Sequence, residues 1–195
     1  MTDDDITKAH AEAVAEYVNT NGLNITQWQA YGRAPVAVLN APETQEKDEI
    51  YTYESPKGYG LTYDLRQYTL GESDESDMYG KVEEGDTYSG TLLLVEKMSS
   101  MDPEAAMKDA MKQAGVSDAE ITDASIGSDI ACSRAEWQET LDDGRIFYYI
   151  GYCVPMGDDT LRIRLETTYQ KGVNEMTMDD LEQLFAPMME SFHFN

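Results

Sequence analysis

The sequence predicts an α+β fold, a mostly antiparallel sheet with helices packed against it. Three observations lead there. Between residues 50 and 168 a series of apolar or alternating segments is joined largely by turn-forming stretches, and consecutive strands joined this way must pair antiparallel. Two further segments repeat apolar residues at helical spacing between recognisable caps, and such stripes are covered by lying on a sheet. The chain has 195 residues, 41% of them apolar, which suffices for a domain-sized core. Residues 1–46 are read as an N-terminal helix and extension, and residues 47–195 as the main domain.

Taken in order, residues 3–20 begin with three Asp suited to the positive end of a helix and place Ile6, Ala9, His10, Ala13, Val14, Tyr17 and Val18 on one stripe. Asn21 and Gly22 end it. "LNITQWQAYGRAPVAVLN" reads as two short strands broken by Gly32 and Pro35, and the polar residues 41–49 read as a linker. "IYTYE" and "YGLTYDL" flank "SPKG", whose Pro and Gly suit a tight hairpin turn. Residues 71–86, "GESDESDMYGKVEEGD", read as an acidic loop. "YSGTLLLVEKM" is apolar enough for a central strand.

The segment "MDPEAAMKDAMKQAGV" is the clearest helix. Asp102 is its cap, Pro103 occupies the first position, Gly115 lies just past the end, and Met107, Ala110, Met111 and Ala114 form its buried face. Strands follow at 129–139, 145–154 and 160–168; in the last, Leu161, Ile163 and Leu165 face a core while Arg162, Arg164 and Glu166 face water. In "TMDDLEQLFAPMMESFHF", Thr177 and Asp180 suit a cap, Leu181, Leu184, Phe185 and Met188 make the inward stripe, and Pro187 should kink or split the helix.

Charge excludes more than it assigns. With 38 acidic and 14 basic residues the net charge is −24, a field that repels nucleic-acid phosphates and anionic lipid surfaces. No stretch is long and apolar enough to span a membrane, and no signal peptide follows Met1. Either the protein is cytosolic, or an export sequence has been replaced by a start methionine. No glycine-rich phosphate loop is present, no cofactor is expected, and His10 and His193 sit in no motif with a nucleophile. Asp74, Glu75, Asp77, Glu83, Glu84 and Asp86 lack the spacing of a helix-loop-helix calcium site and read as a solvated loop, so no metal is expected. The sequon at Asn24 matters only in a glycosylating host.

The two cysteines, Cys132 and Cys153, flank "LDDG" almost symmetrically. If Leu141 pairs with Gly144, the cysteines oppose one another directly. If Asp142, Asp143 and Gly144 form a three-residue loop with Gly144 left-handed, they are offset by one and lie on opposite faces. A loop centred one step later makes them diagonal neighbours on one face. Two of these registers bring the thiols close, so a disulfide between Cys132 and Cys153 is the expectation, with two buried reduced thiols as the alternative. The bridge would place the protein outside the cytoplasm. Among the thirteen tyrosines, Tyr51, Tyr53, Tyr148 and Tyr152 form a possible binding surface for a protein, peptide or glycan partner, should one sheet face be uncovered.

From about residue 50 onward, roughly three quarters of a chain of ordinary domain size, the sequence resembles the PsbP-like fold. The residues that carry the resemblance are "YGLTYDL", then "GTLLLVEKM" leading into "MDPEAAMKDAMKQAG", then the meander through "TLRIRLETTY", and the helix ending in "MESFHF". That group takes its name from a photosystem subunit and includes a yeast Ran-release factor and exported bacterial lipoproteins. The resemblance implies an α/β/α sandwich and a binding or assembly role, with no catalytic residues to carry over. The expected function is a non-enzymatic extracytoplasmic binding or accessory protein, the soluble part of a lipoprotein or secreted protein. The alternatives are a cytosolic chaperone or adaptor of the same fold and, third, a carboxylate-dependent hydrolase.

Overall fold

A computed structural model of the protein describes residues 24–31, 34–40, 50–82, 90–142, 144–172 and 174–195. The helix expected over residues 3–20 and the linker over 41–49 lie outside the described residues. The chain divides into two compact units, residues 1–48 and 49–195. In the first, β1 (Asn24–Tyr31) and β2 (Ala34–Asn40) pair antiparallel, as the short apolar stretches predict.

The second unit contains β3 (Ile50–Ser55), β4 (Tyr59–Asp64), β5 (Tyr68–Glu72), β6 (Ser76–Lys81), β7 (Leu92–Met98), α1 (Pro103–Gln113) and β8 (Thr122–Ile126). It continues with β9 (Ile130–Thr140), β10 (Ile146–Met156), β11 (Asp159–Tyr169), α2 (Met178–Ser191) and the two-residue β12 (His193–Phe194). A seven-stranded sheet has the order β5-β6-β7-β11-β10-β9-β8, and a three-stranded sheet has the order β12-β4-β3. Every ladder among the described residues is antiparallel, as short connections require.

Local chemistry sets one turn and the start of both helices. Gly58, at φ +99°, closes the β3–β4 turn by donating its N–H to the Ser55 carbonyl at 3.1 Å. Asp102 caps α1 by accepting from the Ala105 N–H at 2.8 Å, and Ala106, Met107, Ala110 and Met111 are its buried face. Thr177 and Asp180 form a reciprocal capping box on α2, which buries Leu181, Phe185, Met188 and Met189.

Two expectations are corrected here. Residues 71–86 are not one loop, because β5 and β6 pair from Tyr68–Lys81 to Glu72–Asp77, with Ser73 closing the turn between them. The acidic composition conceals that Asp77 and Tyr79 point into the core. Of the kink or split expected at Pro187, the split is absent: α2 is continuous, Pro187 lies on its exposed side, and the buried stripe opposite holds the helix together despite one missing backbone bond.

The layers follow from these faces. One face of the large sheet carries Tyr79, Leu93, Val95, Ile150, Tyr152, Leu161, Ile163 and Leu165, covered by α2 and by the three-stranded sheet with Tyr59, Leu61 and Tyr63. The other face carries a smaller core of Ala135, Trp137 and Cys153 beneath Ala106, Met107, Ala110 and Met111 of α1.

Candidate binding face

The register of the β9–β10 hairpin decides which side chains share a face. Leu141 N–H donates to the Arg145 carbonyl at 2.9 Å, Gly144 N–H donates to the Leu141 carbonyl at 2.9 Å, and Gly144 has φ +83°. This is the three-residue loop, so Cys153 pairs with Ser133 and is offset by one from Cys132. Cys132 therefore joins the core under α2 and Cys153 the core under α1, on opposite sides of one sheet. The expected disulfide is corrected to two free, buried thiols. Burial pushes the Cys132 thiol up to about 11 and the Cys153 thiol up to about 12, so both stay protonated and inert at neutral pH. Alkylation of unfolded, unreduced protein is expected to add two adducts by mass spectrometry; an unmodified mass would restore the disulfide.

On the α1 side, cross-strand pairing defines three rows. The first runs Ser76, Glu96, Arg162, Cys153, Ser133; the second Met78, Leu94, Arg164, Gly151, Ala135; the third Gly80, Leu92, Glu166, Tyr149, Trp137. Helix α1 lies over β9, β10 and β11. Arg162, expected in water, is instead buried beneath it at 3% exposure, 2.9 Å from both Glu96 Oε2 and Asp109 Oδ2. A guanidinium is held there because two carboxylates share it, one from β7 and one from α1.

Beside that helix the face is half-exposed. Phe147, Tyr149 and Trp137 stack in series, with ring centroids 6.1 and 5.4 Å apart. Gly151 makes room for the indole: a Cβ there would stand 2.7 Å from the Trp137 ring. The indole Nε1 is buried with no hydrogen-bond partner among the described residues. Arg164 lies over the Tyr149 ring at 5.9 Å and is ion-paired with Glu166. Burial raises the Glu166 carboxyl above its ordinary value against the pull of Arg164, and burial pushes the Tyr149 phenol up to about 12. Met78, Leu92 and Leu94, all half-buried, flank the pair on β6 and β7. The arrangement is an apolar and aromatic strip with one partly dehydrated ion pair at its centre, suited to holding a ligand.

The four tyrosines singled out from the sequence do not form this surface, or any single one. Tyr51 and Tyr53 are two apart on β3; Tyr51 is 47% exposed and packs edge-on against Tyr63, whereas Tyr53 is buried and donates to Glu72. Tyr148 rests against Tyr169, and Tyr152 is buried beneath α2, donating to Glu182 Oε1 at 2.6 Å. Glu182 also accepts from Arg134 at 2.9 Å, so this cluster fastens α2 to β9 and β10.

A second polar cluster is enclosed between the two sheets. Asp77, fully buried, accepts from Lys57 Nζ at 2.8 Å, Ser55 Oγ at 2.5 Å and the Tyr59 hydroxyl at 2.8 Å. Lys57 Nζ also donates to the Ser73 carbonyl at 2.8 Å. Burial, first of all, pushes the Tyr59 phenol far above its usual range. Both ionic partners are hydrogen-bonded within the cluster, which latches the β3–β4 turn onto β6. No group of three or more His, Cys, Asp or Glu among the described residues is placed to hold a metal ion, and Asp77, once read as part of the acidic loop, serves this latch.

Comparison with solved structures places the architecture. The solution structure of cyanobacterial PsbP (CyanoP) from Synechocystis sp. PCC 6803 superposes with a TM-score of 0.52 at 13% identity, covering 80% of this chain and 98% of that one. The fold is PsbP-like. A crystal structure from Bacteroides thetaiotaomicron VPI-5482 also matches, at 10% identity and a TM-score of 0.48, over 74% of this chain; the chain spans 48% of that protein's length. No protein-family model and no curated protein matches the sequence. In this PsbP-like unit, no helix among the described residues is long and apolar enough to cross a membrane.

The half-exposed strip was missed in the sequence because its members come from β6, β7, β10 and β11 and only pairing unites them. The available signal was the run "TLLLVE", whose successive leucines lie on different faces, Leu92 and Leu94 on the strip and Leu93 in the opposite core.

Proposed function

We propose that the chain is a non-enzymatic binding or accessory protein that holds a protein or peptide partner against the sheet face beside α1. The observation that carries this reading is the strip of Phe147, Tyr149, Leu92 and Leu94, half-buried around the Arg164–Glu166 pair. Aromatic rings and a dehydrated arginine are the side chains that supply most binding energy when a partner covers them. The PsbP-like fold supports an extracytoplasmic, secreted or lipid-anchored setting, in which the acidic surface keeps the chain apart from anionic membranes. The two free thiols favour a second reading, a cytosolic chaperone or adaptor of the same fold, since they remove the disulfide from the compartment argument.

A photo-reactive benzoylphenylalanine at position 147 tests the surface in native cells, with the same residue at Gln183, exposed on α2, as control. A discrete adduct from position 147, absent from position 183, supports the reading. Equal adducts at both, or none at 147, contradict it. Detection of the chain in the cytosolic fraction of the same cells decides for the adaptor.

A further inference from the structure

His193 opens β12, where it pairs with Gly60 of β4. Its ring meets an acceptor at each nitrogen: Nδ1 lies 3.0 Å from the Ser191 carbonyl oxygen and Nε2 lies 3.1 Å from Glu54 Oε1. A carbonyl and an ionised carboxylate can only accept. A neutral imidazole has one N–H, so it serves one of these contacts and turns a lone pair toward the other; an imidazolium serves both. Gly60 lets the ring and Glu54 settle against the backbone, since a Cβ there would stand 2.5 Å from both His193 Nε2 and Glu54 Oε2.

The strand that His193 opens closes the edge of β4. Ser191 Oγ accepts from the Thr62 N–H at 2.8 Å, and Asn195 Nδ2 donates to the Ser55 and Tyr59 carbonyls at 3.0 and 3.2 Å. Phe192 stacks on Tyr59 with centroids 5.5 Å apart. Residues 191–195 thus occupy outward backbone groups of β4 that a sheet edge otherwise offers to another strand.

We propose that His193 is a pH-sensitive clasp, which as an imidazolium ties β12 across Gly60 to Glu54 and on losing its proton loosens β12 from the β4 edge. The charged group facing the ring is Glu54 from β3; β4 presents Gly60, and α2 presents the Ser191 carbonyl. The Ser191 carbonyl, and then Glu54, raise the ring above its ordinary value. A group whose affinity for protons rises on folding stabilises the folded arrangement below its unfolded pKa, and that contribution disappears as pH climbs through the raised folded value.

The test is NMR on the full chain, following the His193 ring by its proton shifts and β12 by heteronuclear NOE at about pH 5.5 and about pH 8.5, on either side of an ordinary histidine. Wild type is expected to titrate above the ordinary value of about 6.5, with rigid Phe194 and Asn195 amides at the lower pH and mobile ones at the higher. Glu54→Gln should lower the His193 midpoint and leave β12 mobile at both. Both side chains are about half exposed, at 44% and 51%, so the substitution leaves the core intact. A midpoint at or below the ordinary value, or β12 equally rigid at both pH values, overturns the proposal.

Discussion

Asp77→Ala is expected to destabilise the protein by about 3–5 kcal/mol, the usual cost of stranding one member of a buried ion pair. Lys57 is 7% exposed, and when its carboxylate is removed it is left buried with the neutral Ser73 carbonyl as partner in place of an anion. Ser55 and Tyr59 lose their acceptor in the same step, and the β3–β4 turn loses its attachment to β6. Replacing both charges, as Lys57→Met with Asp77→Leu, should recover much of the loss, because a well-packed apolar pair removes the desolvation problem altogether. Equilibrium urea unfolding measures both variants. A cost for Asp77→Ala within the roughly 0–1 kcal/mol of an exposed pair would show that the cluster is hydrated and holds nothing in place.

Gly127→Ala is expected to cost roughly 2–4 kcal/mol, combining left-handed strain with a lost hydrogen bond and a backbone collision. Gly127 has φ +55°, and its N–H donates to the Met189 carbonyl at 2.9 Å. A Cβ at that position runs into the Phe192 carbonyl oxygen, which is main chain and cannot swing aside. The β8–β9 turn and the end of α2 must therefore separate. Gly144 provides the control: its φ is +83°, but an added Cβ there meets nothing within 4 Å. Gly144→Ala should cost only the strain, about 1–2 kcal/mol. Thermal or urea unfolding that finds the two alanine variants equal would show that Gly127 does not touch the helix end.

What the sequence discloses and what it conceals divide along a physical line. Caps are local, so Asp102 with Pro103 and Thr177 with Asp180 announce both helices within a few residues. Alternation is local too, and it places Leu161, Ile163 and Leu165 on the covered face. Asp77 breaks the alternation of β6 only in appearance: its partner, Lys57, is twenty positions away, and nothing near "ESDMYGK" signals that a buried ammonium awaits it. Arg162 is the same case, since the shielding helix lies far off in the chain. Cys132 and Cys153 turned on one loop residue. "LDDG" accommodates three registers, and the choice with Gly144 left-handed sends the two thiols to opposite sides. The strip beside α1 was the least legible, because it exists only once four strands are laid in register.

The β9–β10 register places Trp137 beside that strip, at the end of the Phe147–Tyr149 stack. The bond from Leu141 N–H to the Arg145 carbonyl sets the alternation along β9 and β10, so Arg134–Tyr152 and Glu136–Ile150 are the close, non-hydrogen-bonded pairs. Their Cα atoms should approach to about 4.5 Å, near enough for strong cross-strand Hα–Hα NOEs. A NOESY spectrum in deuterated water is expected to show those two cross-peaks. Cross-peaks joining Cys132 to Cys153, or Ser133 to Tyr152, would shift β9 against β10 by one residue, take Trp137 out of line with Tyr149, and contradict the aromatic series on which the candidate face is built.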